Sequence, residues 1–395
     1  MTVPAAGTLP LPAARRGADA LAAVLVALAL CALCLGPFVS LKPNRIAEGE
    51  PLMLWSAVSG PAAAAVLGLL LAGLGALATF PKPAVRILAP ASGLAAVFAG
   101  VIAASATLVP AGDKLARVSP DWGFWLAATC MALALTDSAA RARPSPGLRV
   151  LAVAVTWLLV LAVLQAGLLD GLSVMREYAV RSEVFWREMA RHVALALGSA
   201  AAAIALGLPI GLAIHARAGA RDPVLAVLTA IQAIPSIALF GLLMAPLAWL
   251  AHAVPAVGAL GVRGIGAAPA FIALTLYALL PIVAATVTGL AGVPPTAVDA
   301  ARGAGMTRGQ ILRAVELPLA FAAVLSGVRV VLVQTIGLTT VAALIGGGGL
   351  GTFVFQGLGQ TAIDLVLLGT LPIVAMAVTA GILLDAAAEG LRWTP

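Results

Sequence analysis

The groups able to do chemistry in this 395-residue chain are few and poorly spaced for catalysis. Its three histidines, His192, His215 and His252, stand alone at or near the ends of apolar stretches. No H-E-x2-H pair, Ser/His/Asp set or spaced carboxylate pair accompanies them, so catalysis within the chain is not expected. Cys31 and Cys34 form a C-x2-C without a second Cys or His pair, and Cys130 is alone, so all three read as small apolar filler. The run Ile345-Gly346-Gly347-Gly348-Gly349-Leu350-Gly351 invites comparison with a phosphate cradle. That motif needs G-x4-G-K-[ST], and the only lysines are Lys42, Lys82 and Lys114, so no such ATP site is expected here. What remains is neutral polarity inside apolar helices: Gln232, Pro235 and Ser236 in one run, and Gln334, Thr335, Thr339 and Thr340 in another. Such groups either bond between helices or line a pore able to pass a zwitterion without trapping it. Arg329, 11 residues beyond Pro318, faces protein or snorkels to an interface, since an unpaired cation at mid-bilayer costs about 2.5–3.5 kcal/mol.

A second kind of chemistry is mechanical. The run Val293–Pro318 reads as two short helices joined by a turn. Pro295 suits a first helical position, where its missing N–H has no partner to lose. Asp299 meets the positive end of the helix dipole, and Arg302 lies three residues on, on the same side. Gly305 suits a left-handed helix end, and Thr307 with Gln310 has capping-box spacing for a second helix carrying Ile311, Leu312 and Val315. Ala300, Ala301, Ala304 and Gly305 leave a smooth surface that another protein can approach closely.

The elements that position these residues follow from composition. With 62% hydrophobic and 10% charged residues and a mean hydropathy of +1.09, the chain is expected to be an all-α polytopic membrane protein. About ten transmembrane helices are read, at roughly 19–40, 54–80, 87–110, 122–138, 150–170, 193–214, 223–250, 264–290, 317–345 and 359–386. Residues 1–17 form a Pro/Ala-rich tail, and Arg15-Arg16 precedes a first span expected to be retained rather than cleaved. Three regions result. Residues 1–171 form an N-terminal accessory unit of five spans, 172–192 an external amphipathic linker, and 193–395 a five-span core holding the loop 293–318. In the linker four Arg and three Glu flank Phe185, Trp186 and Met189, whose apolar side is expected to face inward. The net charge of +7 is spread over short loops without interleaved aromatics, which excludes a nucleic-acid partner and leaves membrane lipid. With both termini cytoplasmic, the inner side carries more Lys and Arg and the 293–318 loop falls inside.

The loop resembles the EAA loop of bacterial ABC-importer permeases, written E-A-A-x3-G-x9-I-x-L-P. Asp299, Ala300, Ala301, Gly305, Val315, Leu317 and Pro318 fall at its spacings, with Asp for Glu and Val for Ile. Residues Gly346, Gly348, Gly349 and Gly351 belong to a run similar to the I-G-x-G-G-L-G signature of betaine/choline-type and methionine-type permeases. The segment around Pro235 and Ser236 resembles osmoprotectant permeases. This resemblance to a type I ABC-importer permease covers about residues 185–395. It implies an inner-membrane subunit without catalysis or cofactor of its own, ATP and Mg being bound by a partner. The implied partners are two ABC ATPase subunits, a second permease subunit (a copy or a paralogue) and a periplasmic or lipid-anchored binding protein. The implied cargo is a glycine betaine, choline or carnitine-type osmoprotectant. The alternatives are a methionine-type amino acid or an ion-coupled secondary transporter.

Overall fold

A computed structural model describes residues 20–391 apart from 45–46, 80–81, 111–112, 114 and 260, so the N-terminal tail lies outside the described residues. Among the described residues nine helices are long and apolar enough to cross a membrane, and a further apolar helix, Ala20–Leu35, is shorter. The expected all-helical membrane fold is present. Contacts divide the chain into two compact units, Met1–Pro144 with Val163–Ser173, and Ser145–Ala162 with Val174–Pro395.

In the first unit α1 (Ala20–Leu35) packs against α3 (Gly60–Thr79) and α5 (Trp122–Ala142), and α4 (Pro83–Leu108) against α3 and α5. Leu33, Leu70 and Met131 are fully buried between them. Phe124 is fully buried too, edge-on to Phe38 at 5.9 Å and to Phe98 at 5.3 Å. The connections that read as plain loops form a small antiparallel sheet instead, in the order β2-β1-β3. Its strands are β1 (Val39–Lys42), β2 (Glu50–Leu52) and β3 (Arg117–Pro120), with α2 (Leu54–Ala57) following β2. Val39 pairs with Leu52 on one side and Pro120 on the other. Pro51 and Pro120 sit on the two edge strands, where a missing N–H costs no ladder bond. Asp121 caps α5 by accepting from Trp122 N–H at 2.7 Å, and the Ser40 hydroxyl donates to the same carboxylate.

The second unit begins with most of α6 (Pro146–Gln165). The Trp157 indole N–H donates to the Thr379 hydroxyl at 3.0 Å, and Arg149 pairs with Glu389 at 2.7 Å, both joining this helix to the C-terminal half. Next comes α7 (Ser173–His215), a 43-residue helix kinked at Arg181 (φ −124°, ψ 18°). Beyond the kink, residues 182–215 continue as one helix of about 51 Å at 1.5 Å per residue, longer than the hydrocarbon thickness. The kink at Arg181 divides the amphipathic segment read at 172–192, and its residues 182–192 run on into the span beyond. Phe185 turns inward to Leu350, Phe353 and Leu365, Met189 is part-buried against the same cluster, and Trp186 stays exposed.

After α8 (Ala218–Ala233), α9 (Ser236–Ala253) and the short α10 (Pro255–Ala259) comes α11 (Ala267–Ala291), the most buried candidate span, with 61% of its apolar window covered. The single span read at 223–250 is in fact two helices lying along α11. Leu228 of α8 joins Ile282, Val283 and Val287, whereas Leu239 and Phe240 of α9 join Ala270, Ala273 and Leu274. The chain continues through α12 (Pro295–Gly303), α13 (Arg308–Ile311), a π turn (Leu312–Glu316) and α14 (Leu317–Leu338). A 3-10 turn (Val341–Ile345), α15 (Gly351–Gly359) and α16 (Ile363–Gly390) complete it.

Glycine sets how closely α11 is gripped. A Cβ on Gly207 or Gly211 of α7 would fall 2.8 Å from Ile282 or 2.6 Å from Thr286. One on Gly327 of α14 would fall 2.4 Å from Ala285. These contacts give the close backbone approach that drives helix association in lipid. Gly327→Val is expected to destabilise the unit by about 1–3 kcal/mol through overpacking. Gly241→Ala, at a position with open space, is the control and leaves stability unchanged or slightly raised. Thermal unfolding of the purified protein in detergent compares the two.

Candidate functional site

The 293–318 loop has the local structure that its spacing calls for. Pro295 opens α12, and Arg302 pairs with Asp299 at 3.1 Å on its exposed face. The helix ends in a Schellman turn: Gly305 N–H donates to Arg302 carbonyl at 2.9 Å and Met306 N–H to Ala301 carbonyl at 3.1 Å. Gly305 carries the left-handed φ of +77° that this turn needs. Thr307 and Gln310 form a reciprocal capping box at the start of α13.

One side of this helix pair is anchored and the other is free. Val298 and Leu312, with Leu212 and Leu317, pack on the cluster of Leu290, Val293 and Ala320 at the ends of α11 and α14. Ala301 is buried, whereas Asp299, Ala300, Arg302 and Gly305 are exposed. Val315 and Leu317 are half-buried and Pro318 is exposed. Pro318 cannot donate to the carbonyl a turn before it, and the helix accommodates it by widening. Leu317 N–H donates to Leu312 carbonyl across the π turn, so α13 and α14 form one continuous rod, Arg308–Leu338.

The polar residues inside the spans take different places. Gln232 and Ser236 are half-buried and Pro235 exposed, at the break between α8 and α9. At this break the Ile234 carbonyl accepts from the hydroxyl of Tyr277 of α11. Thr335 and Thr339 are buried, and their hydroxyls donate back to the carbonyls of Leu332 (3.1 Å) and Thr335 (2.6 Å) on their own helix. Gln334 and Thr340 are half-buried beside them. Arg329, for which the sequence names no partner, pairs with Asp385 of α16 at 2.7 Å.

The glycine run is a docking loop. Gly346, Gly348 and Gly349 have φ of +77°, +73° and +88°, and a Cβ on Gly351 would fall 1.9 Å from Thr340 carbonyl. The buried Glu188 of α7 accepts the Gly349 N–H at 2.7 Å, with Arg191 at 3.9 Å from the same carboxylate. His192, one residue beyond Arg191, is fully buried with a ring nitrogen 3.0 Å from the Ile336 carbonyl. Glu188 and His192 are thus part of the arrangement although sequence reasoning placed neither there. The one available signal was two ionisable groups four residues apart, which share a helix face, on an otherwise aromatic-lined stretch.

The comparisons agree with this geometry. Residues 184–392, more than half of the chain, match the family described as the binding-protein-dependent transport system inner membrane component. The chain belongs to this family, the membrane permeases of ABC importers. Residues 16–175 match the N-terminal domain of the ABC transporter permease YehY.

Among curated proteins the chain is similar to the carnitine transport permease OpuCB of Listeria monocytogenes, 42% identical over 28% of this chain and 51% of that one. It is also similar to the osmoprotectant import permease OsmW of Salmonella typhimurium, 42% identical over 29% and 53%. The chain spans about half the length of the curated relatives it matches. An inward-facing structure of the MetNI methionine ABC transporter aligns at 21% identity and TM-score 0.47, over 53% of this chain and 96% of that one.

The Glu188–Gly349 bond yields a direct expectation. Glu188→Leu removes the acceptor from a buried N–H and should cost about 1–3 kcal/mol. Faster amide hydrogen exchange at Gly349, together with a lower thermal midpoint, is the expected readout.

Proposed function

We propose that this chain is the pathway-forming subunit of an ATP-driven importer for quaternary ammonium osmoprotectants of the glycine betaine, choline and carnitine type. The observation that carries the ATP-driven part is the 295–311 helix pair, anchored by apolar side chains on one side and presenting Asp299, Ala300, Arg302 and Gly305 on the other. ABC ATPase subunits, two per assembly, seat against that free side and bind the ATP and Mg. The permease itself hydrolyses nothing. A second permease subunit completes the passage, and an external binding protein delivers the solute. In this reading the protein lies in the bacterial inner membrane with both termini and the coupling loop in the cytoplasm. The cargo reading is supported by the names of the relatives, which are permeases for carnitine, for choline and for osmoprotectants.

The geometry supplies a transmission. Movement of α12 presses Val298 on Leu290 and Val293, while rotation of α13 passes through the π turn into α14 without a break in the rod. At the far end of α14 lie the 3-10 turn and the glycine loop that holds Glu188 of α7. A force applied at the loop thus reaches a contact between two spans at the opposite end. Gln232, Pro235, Ser236, Gln334 and Thr340 are the pathway candidates with exposed surface, and the buried Thr335 and Thr339 stiffen α14.

Gly305→Leu tests the coupling. No neighbouring atom lies within 4 Å of a Cβ there, so the chain accepts the side chain, but a left-handed φ costs a non-glycine residue about 1–2 kcal/mol. Membrane insertion is expected to persist while ATP hydrolysis no longer drives uptake of radiolabelled glycine betaine in proteoliposomes. Wild-type uptake by this variant would remove the coupling assignment. ATP-driven uptake of methionine and not of glycine betaine by the wild-type assembly would redirect the cargo reading.

A further inference from the structure

The geometry points to Arg329 and Asp385 as a two-pronged binding site within the passage for a small zwitterion, its carboxylate on Arg329 and its quaternary ammonium on Asp385. The inference rests on the proposed cargo class and deepens it.

Arg329 is the only ionisable residue of α14, and it pairs with Asp385 across to α16 at 2.7 Å. The pair is not sealed between the helices: the two side chains are 44% and 41% exposed. Arg329 lies about 18 Å along the helix from Leu317, and Asp385 lies one turn, about 6 Å, deeper than Glu389 near the end of α16. A charge pair left open on two candidate spans is unfavourable against hydrocarbon, so its open side belongs to water or protein. On α14 the exposed positions Ser326, Arg329, Val330 and Val333 fall on one face at i, i+3, i+4 and i+7. That face places a hydroxyl one turn from the guanidinium. Gly381 of α16 packs beside the guanidinium: a Cβ there would lie 3.6 Å from Val333 and 4.0 Å from Arg329 Nε, so the absence of a side chain leaves a methyl-sized gap.

The chemistry of such a pair fits a zwitterion better than a simple ion. A guanidinium takes a carboxylate through two parallel hydrogen bonds. A quaternary ammonium has no N–H and is attracted to Asp385 by charge alone. A solute carrying both groups separates the pair and replaces one ion pair by two. When it leaves, each side chain regains the other as partner. Neither state leaves a charge uncompensated, so the solute is accepted without being trapped. A solute with only the ammonium, such as choline, would engage Asp385 and leave Arg329 unpaired.

The test uses the whole transporter, this chain with its ATPase and binding protein in proteoliposomes, and compares maximal uptake rates for glycine betaine and choline. Arg329→Gln is expected to lower the betaine-to-choline rate ratio about tenfold, the scale of one lost charge-assisted bond. Asp385→Asn, which removes the group that both solutes use, slows the two alike. Arg329→Met with Asp385→Leu keeps an apolar contact between α14 and α16 and the thermal midpoint, but loses betaine transport about tenfold or more. If that double variant carries betaine at the wild-type rate, or if Arg329→Gln slows both solutes equally, the pair is structural and the inference falls alone. A wild-type assembly that moves neither solute overturns the cargo reading, and the site with it.

Discussion

Lipid offers the backbone no hydrogen bonds, so each place where this chain leaves the regular helix must find its partner within the protein. The breaks in the second unit are met in different ways. At Pro235 the helix stops, and Tyr277 on the neighbouring span donates to the Ile234 carbonyl. At Pro318 the helix does not stop but widens, and the Leu317 N–H reaches back five residues instead of four. At the glycine run three residues adopt positive φ and the Gly349 N–H is taken by the carboxylate of Glu188. A partner drawn from another span makes the break a contact between helices; a partner drawn from the same helix makes it a joint. Tyr277 and Glu188 fasten, and the π turn transmits.

This difference separates stiff from compliant parts. Around α11 the glycines of α7 and α14 bring backbones so close that a single Cβ would collide, which resists sliding. The 295–311 helix pair packs on that rigid centre through apolar side chains, Val298 and Leu312 on Leu290, Val293 and Ala320. Dispersion and small apolar contacts are tolerant of displacement, whereas the glycine contacts are not. The helix pair is therefore held by the more compliant contact, and the spans that grip α11 by the stiffer one.

How much of this could be read from the sequence follows the range of each interaction. The Thr307–Gln310 box, the Gly305 turn, the Pro295 start and the Asp299–Arg302 pair all span six residues or fewer, and each is present. Their determinants are local, so residue type and spacing suffice. The partners of Arg329, Ile234 and Gly349 lie 56, 43 and 161 residues away along the chain. No periodicity encodes them. The small sheet was hidden for another reason: strands of three and four residues are too short to show alternation, and their prolines read as turn signals. In the segment read at 172–192 charge density marks solvent exposure and not a helix end, so residues 182–192 continue into the helix beyond.

The sixth helix shows where hydropathy stops being informative. It has the highest mean hydropathy of the nine candidate spans, 2.4, yet none of its window is buried. Apolar surface distinguishes membrane from water but not one helix neighbour from another, since lipid tails satisfy it equally well. What fixes α6 is polar: Trp157 on Thr379 and Arg149 on Glu389. Both acceptors lie on α16, on the stretch that also carries Asp385, the partner of Arg329 on α14. Three bonds within eleven residues of one helix thus tie a span from the N-terminal half and a span continuous with α13 to the same element. A displacement of α14 at Arg329 is felt by α16, and through it by α6, without any apolar contact having to change.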